Sequence, residues 1–164
     1  MTFEIVSKRH GKFKVIVDDA DWEEVKKYKW HIGKQPKRKA VYARRNMYIN
    51  GKKVPVEIAL HTQLTGFKIT DHINGNGLDC RRENMREATI NQNRLNVGIR
   101  KDCVSGYKGV SWDKKANKWV VRIQKDNKNK TVGRFSSKKD AALAYNKAAL
   151  IYHGEFARLN EVTE

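Results

Sequence analysis

The sequence predicts an α+β chain with three parts: a strand-rich amino-terminal region, a strand–loop–strand–helix unit, and a three-stranded antiparallel sheet packed on one helix. Three observations predict it. Residues 1 to 55 alternate apolar and polar side chains in short runs broken by turn residues. Residues 66 to 98 place a long loop rich in Gly, Asn and charge between two short runs, then add a helical stretch. Residues 106 to 160 give three more alternating runs followed by one long amphipathic segment. The expected divisions are 1–55, 56–98, a linker at 99–105, and 106–160.

In the first region FEIV, KFKVIV and AVYARRNMYI read as strands, separated by the turn signals HGK, GKQPKRK and INGKK. Between them DDADWEEVKKYKWHI opens on an acidic cap and sets Trp22, Val25, Tyr28 and Trp30 at helical intervals, which predicts a short helix. Asn50-Gly51 is a hairpin signal that joins NMYI to KKVPVEIAL. In the second region GFKIT is the expected outgoing strand, INGNGLDCRRE the loop and NMREA the return strand. Thr89 then caps a helix through INQNRLNV that stops at Gly98. VGIRKDCVS lacks periodicity and reads as a connection. In the third region YKGVSW, NKWVVRIQ and NKTVGRF are strands, with Asp126 to Asn129 at the second turn. Alternation puts Trp119, Val121 and Ile123 on one face and Arg122 and Gln124 on the other. SSKKDAALAYNKAALIYHGE is the helix: Ser137 caps it, Asp140 follows three residues on, Gly154 ends it, and Ala141, Ala144, Tyr145, Ala148 and Tyr152 form its apolar stripe.

Chemistry concentrates in TDHINGNGLDCRRENMREATINQNRLN. Asp71 and His72 are adjacent, Asn84 lies twelve residues after His72, and Asn93 nine further. An aspartate gives a hard divalent cation an anionic oxygen ligand, and an imidazole takes a proton from water near neutral pH. A later asparagine adds a neutral oxygen ligand. The expected hairpin and helix can face Asp71 and Asn93 toward one cation, aim His72 at the bond to be cut, and let Asn84 tie the loop. That set suits a metal-dependent phosphodiesterase. Arg81 and Arg82 are either phosphate contacts or a solvated pair.

The segment resembles the HNH endonucleases of the ββα-metal type, in the branch whose last His is replaced by Asn. The resemblance rests on DHINGNGLD, RRENMREAT and the two spacings. It implies that Asp71 and Asn93 bind one divalent metal, Mg²⁺ or Mn²⁺, that His72 is the general base, and that Asn84 holds the loop that positions His72. Cys80 departs from the Asn or other polar residue common at that place. His61, in EIALHTQLTG, resembles a His frequent just upstream in the family, and reads at least as readily as a core or packing histidine. The strand-rich region before it resembles what precedes the motif in phage and intron-encoded proteins, which implies a scaffold with some DNA contact. Downstream, YKGVSW, KWVVRI, VGRF and DAALAYNKAALIYHGEFARLN resemble the AP2 domain, which reads the major groove with a three-stranded sheet. By position, Lys108 matches a DNA-contacting arginine, Arg122 and Gln124 lie on the contacting strand, and Asn129 and Thr131 lie near the third. Several matching arginines of the family are absent, notably at Ser111. Trp119 reads as core, while Trp112 reads either as a stacking or a packing residue.

Composition agrees. The 164 residues hold 35 Lys and Arg against 18 Asp and Glu, a net charge of +17, with a pI near 10.0. Residues 1–100 carry 21 basic and 11 acidic side chains, and residues 101–164 carry 14 and 7, so both halves attract a polyanion. Cys80 and Cys103 are far apart with no CxxC, which leaves a structural zinc site unsupported. There is neither a secretory leader pattern nor an apolar run of membrane-spanning length. The expectation is a cytoplasmic, nucleoid-associated protein of a bacterial or phage-infected cell. It acts on double-stranded DNA, without a membrane partner, as a monomer or homodimer. The expected activity is a site-selective, homing-type HNH endonuclease that nicks as a monomer. The alternatives are a catalytically inactive, sequence-specific DNA-binding regulator and a generic basic RNA-binding protein.

Overall fold

The computed structural model describes residues 1–8, 11–34, 40–125 and 128–162. Parts of the turns expected at HGK, at GKQPKRK and at Asp126 to Asn129 fall outside those residues. The architecture is α+β, built from several small antiparallel sheets. The chain divides into two compact units, Met1–Ile90 and Asn91–Glu164. Among the described residues no helix is long and apolar enough to cross a membrane.

The first unit opens with a hairpin of β1 (Thr2–Ser7) and β2 (Gly11–Ile16). A 3-10 turn at Asp19–Asp21 leads into the short helix α1 (Trp22–Val25). The expected helix ends four residues in. Trp30 lies outside it and is buried, and its indole N–H donates to the carbonyl of Val25 at 2.8 Å. His31 and Ile32 leave helical geometry because they form β3 (His31–Lys34) and pair there with Arg44 and Ala43 of β4 (Val41–Ile49), which in turn pairs with β5 (Lys52–Ala59) in a sheet ordered β3-β4-β5. The β4–β5 turn is the expected Asn50-Gly51, both residues having positive φ, 50° and 75°. Helix α2 (Leu60–Thr65) follows at once and is closed by Gly66 in the left-handed conformation. Gly66 therefore belongs to a helix end, and the expected strand GFKIT shrinks and shifts to β6 (Thr70–His72), which contains Asp71 and His72. Its partner is β7 (Met85–Glu87).

One apolar core serves this unit. It draws Ile5, Val15 and Val17 from the amino-terminal hairpin, Val25 and Trp30 from the α1 region, Ala43 and Leu60, and Leu78, Cys80 and Met85 from the motif segment. Backbone bonds tie the two ends of the unit: Ile16 N–H donates to Leu78 O, and Cys80 N–H donates to Ile16 O. Cys80, fully buried, is a core residue, and burial pushes its thiol up to about 12.

The second unit begins with α3 (Ile90–Leu95), whose first residue closes the first unit. A sheet of β8 (Val110–Asp113), β9 (Lys118–Lys125) and β10 (Lys128–Phe135), ordered β10-β9-β8, lies on α4 (Lys138–His153). Ser137 caps α4 as expected, its side chain accepting from the backbone N–H groups of Lys139 and Asp140. Val110, Val121 and Ile123 meet Ala141, Ala142, Tyr145, Ala148 and Ala149 in the core. Gly109 at φ 75° is required there, because a Cβ would stand 2.2 Å from the Tyr145 ring.

Candidate active site and DNA face

Pairing of β6 with β7 sets Asp71 opposite Arg86 and His72 opposite Met85. Opposite charges thus face each other across a short ladder. Arg86 donates to Asp71 Oδ2 from Nε at 2.9 Å and from Nη2 at 2.7 Å, and the side chains are 13% and 3% exposed. His72 is buried, and its ring meets Tyr42 at 5.9 Å and His61 at 5.1 Å between centroids. Burial lowers the basicity of His72, against the raising influence of Asp71 and Asp79. The ring is therefore held toward its neutral form, the form a general base needs.

Residues between the strands form a laced loop. Asn84 is buried, its Oδ1 accepting from the Asn74 N–H at 3.0 Å and its Nδ2 donating to Asp79 O at 2.8 Å. Asn74 donates from Nδ2 to Asp79 Oδ2 at 2.9 Å, and Asn76 accepts from the Leu78 N–H at 3.1 Å. Asp79 also receives Arg81 Nε at 2.9 Å and Nη2 at 2.8 Å, and the Arg81 hydrogen bonds hold its carboxyl below the usual range. Asn84 thus holds both ends of the turn that follows His72. Gly77 lets the Tyr42 ring lie against that turn, since a Cβ there would come within 2.6 Å of the ring.

The other expected site residues fall as follows. Arg81 also pairs with Glu83 at 2.7 Å, and Arg82 pairs with Asp21 at 2.7 Å while its backbone N–H donates to Asp18. Both arginines have anionic partners in their own unit, and the Arg82 side chain remains 59% exposed. Asn93 is half-buried on α3 and belongs to the second unit. Among the described residues no group of three or more His, Cys, Asp or Glu side chains converges as a metal site.

In the second unit the register settles the faces. Thr131 pairs with Arg122 and Asn129 with Gln124, so all four share the side away from α4 and all are exposed. Ser111 pairs with Val120 on that same side and accepts from Arg122 Nη1 at 3.3 Å. Trp112 pairs with Trp119, which puts it on the helix side, where the two rings meet at 5.0 Å. Trp112 nevertheless stays 42% exposed and stands outside the apolar cluster that includes Trp119, so one side of its ring touches Trp119 and the rest faces solvent. Lys108 stands apart from the face. Its ammonium donates to the carbonyls of Leu95 and Val97 at the end of α3, and burial brings it down to about 8.

Residues 105–155 match the model of the AP2 domain family. Protein 3.8 of Escherichia phage T7 is 32% identical over 88 residues, covering 54% of this chain and 72% of the phage protein. The chain belongs to the family of that phage protein. A protein of Acanthamoeba polyphaga mimivirus, named an uncharacterized HNH endonuclease, is 28% identical over 171 residues, covering 98% of this chain and 81% of the viral protein. No solved structure matches the chain.

In this member of the Protein 3.8 family, sequence reasoning missed Arg86, Tyr42 and Asp79. Arg86 carried a signal, because a hairpin with His72 opposite Met85 sets Asp71 opposite Arg86. Tyr42 carried none, since thirty residues separate it from His72. His61 was read two ways, and the structure places its ring against His72 in a half-buried setting. Burial, then His72 and Arg44, lower its basicity to about 4.

Proposed function

We propose that the chain is a divalent-metal-dependent HNH endonuclease delivered to duplex DNA by its AP2-like unit. The observation that carries the reading is β6. It holds Asp71 and His72 as consecutive residues paired with Arg86 and Met85, followed by a turn that Asn84 clamps at both ends. In the proposed reaction His72 takes a proton from water, the water oxygen attacks the phosphorus, and the bond to the 3′ oxygen breaks. Asn84 positions His72 through the turn, and Tyr42 and His61 limit rotation of its ring.

The donor chemistry of Asp71 and Asn93, a carboxylate and an amide oxygen, suits a hard cation such as Mg²⁺ or Mn²⁺. When bound, such an ion supplies Lewis-acid stabilisation of the charge that builds on the phosphate and the leaving oxygen. Arg86 already holds Oδ2 of Asp71, so it shares that carboxylate with any metal.

The AP2 match and the common face of Arg122, Gln124, Asn129 and Thr131 support binding to duplex DNA. Lys108 reaches a phosphate only by giving up two carbonyls. We read the enzyme as site-selective and homing-type, with one site per chain and hence one strand cut by a monomer. Arg81 and Arg82 are secondary phosphate contacts in this scheme.

Supercoiled plasmid incubated with Mg²⁺ or Mn²⁺ tests the proposal: wild type converts it to the nicked form and His72→Ala does not. Equal cutting by both proteins defeats the role of His72. The Arg86–Asp71 pair favours one second reading, a DNA-binding regulator that cuts nothing. It predicts selective duplex binding with no cleavage under any divalent metal.

A further inference from the structure

Helix α3 is too short to hold its own shape. It runs for six residues, Ile90–Leu95, where an isolated helix needs about 12–15, so its geometry depends on what grips it. The last carbonyls of a helix have no partner within it. Here the ammonium of Lys108 reaches that end, donating to Leu95 O and, at 2.6 Å, to Val97 O. A cation placed there also meets the negative pole of the helix.

Lys108 is itself fixed. Its backbone N–H donates to Asn160 Oδ1 at 2.7 Å, and its carbonyl accepts from Asn160 Nδ2 at 3.1 Å. Asn160 is buried, and Asn146 of α4 binds it in the same two-way manner, donating from Nδ2 to Asn160 O at 2.9 Å and accepting the Asn160 N–H at 2.7 Å. A continuous chain of hydrogen bonds thus runs from α4 through Asn160 and Lys108 to the end of α3. Asn93 lies two residues before Leu95, and α3 from Asn91 onward folds with the AP2-like unit.

We propose that Lys108 is a positioning residue for Asn93: it anchors α3 to the AP2-like fold and makes no contact with phosphate. The position that matches a DNA-contacting arginine of the AP2 family is thereby turned to another use. Arg122, Gln124, Asn129 and Thr131 stand exposed on the sheet, whereas Lys108 is half-buried with two of its three ammonium donors already spent on carbonyls. The AP2-like unit then carries the last helix of the nuclease motif as well as the DNA face. The role toward Asn93 rests on the nuclease reading, whereas the anchor and the missing phosphate contact do not.

The test compares the full chain with Lys108→Met, which keeps the apolar stem and removes the ammonium. Fluorescence anisotropy of duplex DNA across a range of KCl concentrations gives both proteins the same slope of log affinity against log salt. A slope lower by about 0.9, the share of one phosphate, overturns the proposal. Amide exchange at α3 and Val97 quickens about tenfold in the variant, the worth of one hydrogen bond to a charged group, and unchanged exchange overturns the anchor. Mn²⁺ affinity, read from the paramagnetic resonance of the free ion, falls roughly tenfold, as when a metal ligand loses its outer support, and unchanged affinity overturns the role toward Asn93. If wild type nicks plasmid, the variant loses kcat while KM for plasmid holds, and a loss confined to KM overturns that role too. Acylation of the wild-type lysines covers the case in which Lys108→Met fails to fold: Lys108 reacts slowly, and equally with and without duplex, whereas protection by DNA overturns the proposal. If wild type neither binds Mn²⁺ nor nicks, the nuclease reading fails while exchange and the salt slope still decide the anchor.

Discussion

Arg86→Met separates the structural role of the Arg86–Asp71 pair from the metal role proposed for Asp71. The pair is nearly enclosed, at 13% and 3% side-chain exposure, and Arg86 Nε and Nη2 reach Asp71 Oδ2 at 2.9 and 2.7 Å. An exposed ion pair contributes about 0–1 kcal/mol. Removing one partner of a buried pair costs about 3–5 kcal/mol, because the remaining charge stays desolvated. For a unit the size of Met1–Ile90, each kcal/mol moves the midpoint by about 4–8 °C, so Arg86→Met lowers the melting of that unit by about 12 °C or more. The assay is thermal unfolding followed by calorimetry, with and without millimolar Mg²⁺. If Asp71 is a metal ligand, Mg²⁺ stabilises the variant more than wild type, since the cation replaces the lost charge and no longer competes with Arg86. Tenfold saturation over Kd returns about 1.4 kcal/mol. A loss below about 1 kcal/mol refutes the burial argument, and a Mg²⁺ effect equal in both proteins refutes Asp71 as a ligand.

Asn84→Ala leaves the Asp79 carbonyl and the Asn74 N–H without their side-chain partner, which costs about 2–4 kcal/mol in urea unfolding and raises amide exchange across the turn after His72; unchanged exchange there contradicts the clamp. Acid weakens the first unit through His61. Its folded value of about 4 lies below the ordinary 6.5 or so, so the unfolded chain takes up the proton first and stability falls as pH drops from about 6.5 to about 4, by up to about 3 kcal/mol. Denaturation at pH 7 and pH 4.5 measures this loss, and His61→Phe flattens it. Gly109→Ala drives a methyl into the Tyr145 ring at a positive φ, so the second unit melts earlier by several degrees while the first unit is unmoved; a calorimetric trace with both transitions intact would falsify the packing account.

What the sequence made legible was local. Asn50-Gly51 announced its turn because only a few residue types accept positive φ in succession, and Ser137 announced its helix because its hydroxyl meets nearby N–H groups. The sheet faces around Arg122 and Trp119 followed from a period of two. What stayed hidden depends on distant partners. Trp30 continued a helical pattern, yet a carbonyl five residues back and the sheet partner of His31 drew it out of the helix. Cys80 stood out as a departure from a family pattern and is a core side chain. The meeting of Tyr42, His61 and His72 needed the fold of β4, α2 and β6, which no local period encodes.

The two backbone bonds that bracket Ile16 reach beyond packing. They make the amino-terminal hairpin a third strand-like support for the turn that carries Asp79, with Ile16 bridged in parallel to that residue. The motif from Asp71 to Asn93 is therefore no transplantable cassette. Moved into another chain without residues 1 to 17, it loses the partner that fixes Leu78 and Cys80, and an apolar cluster that joins Val15 and Val17 to both is left open to water.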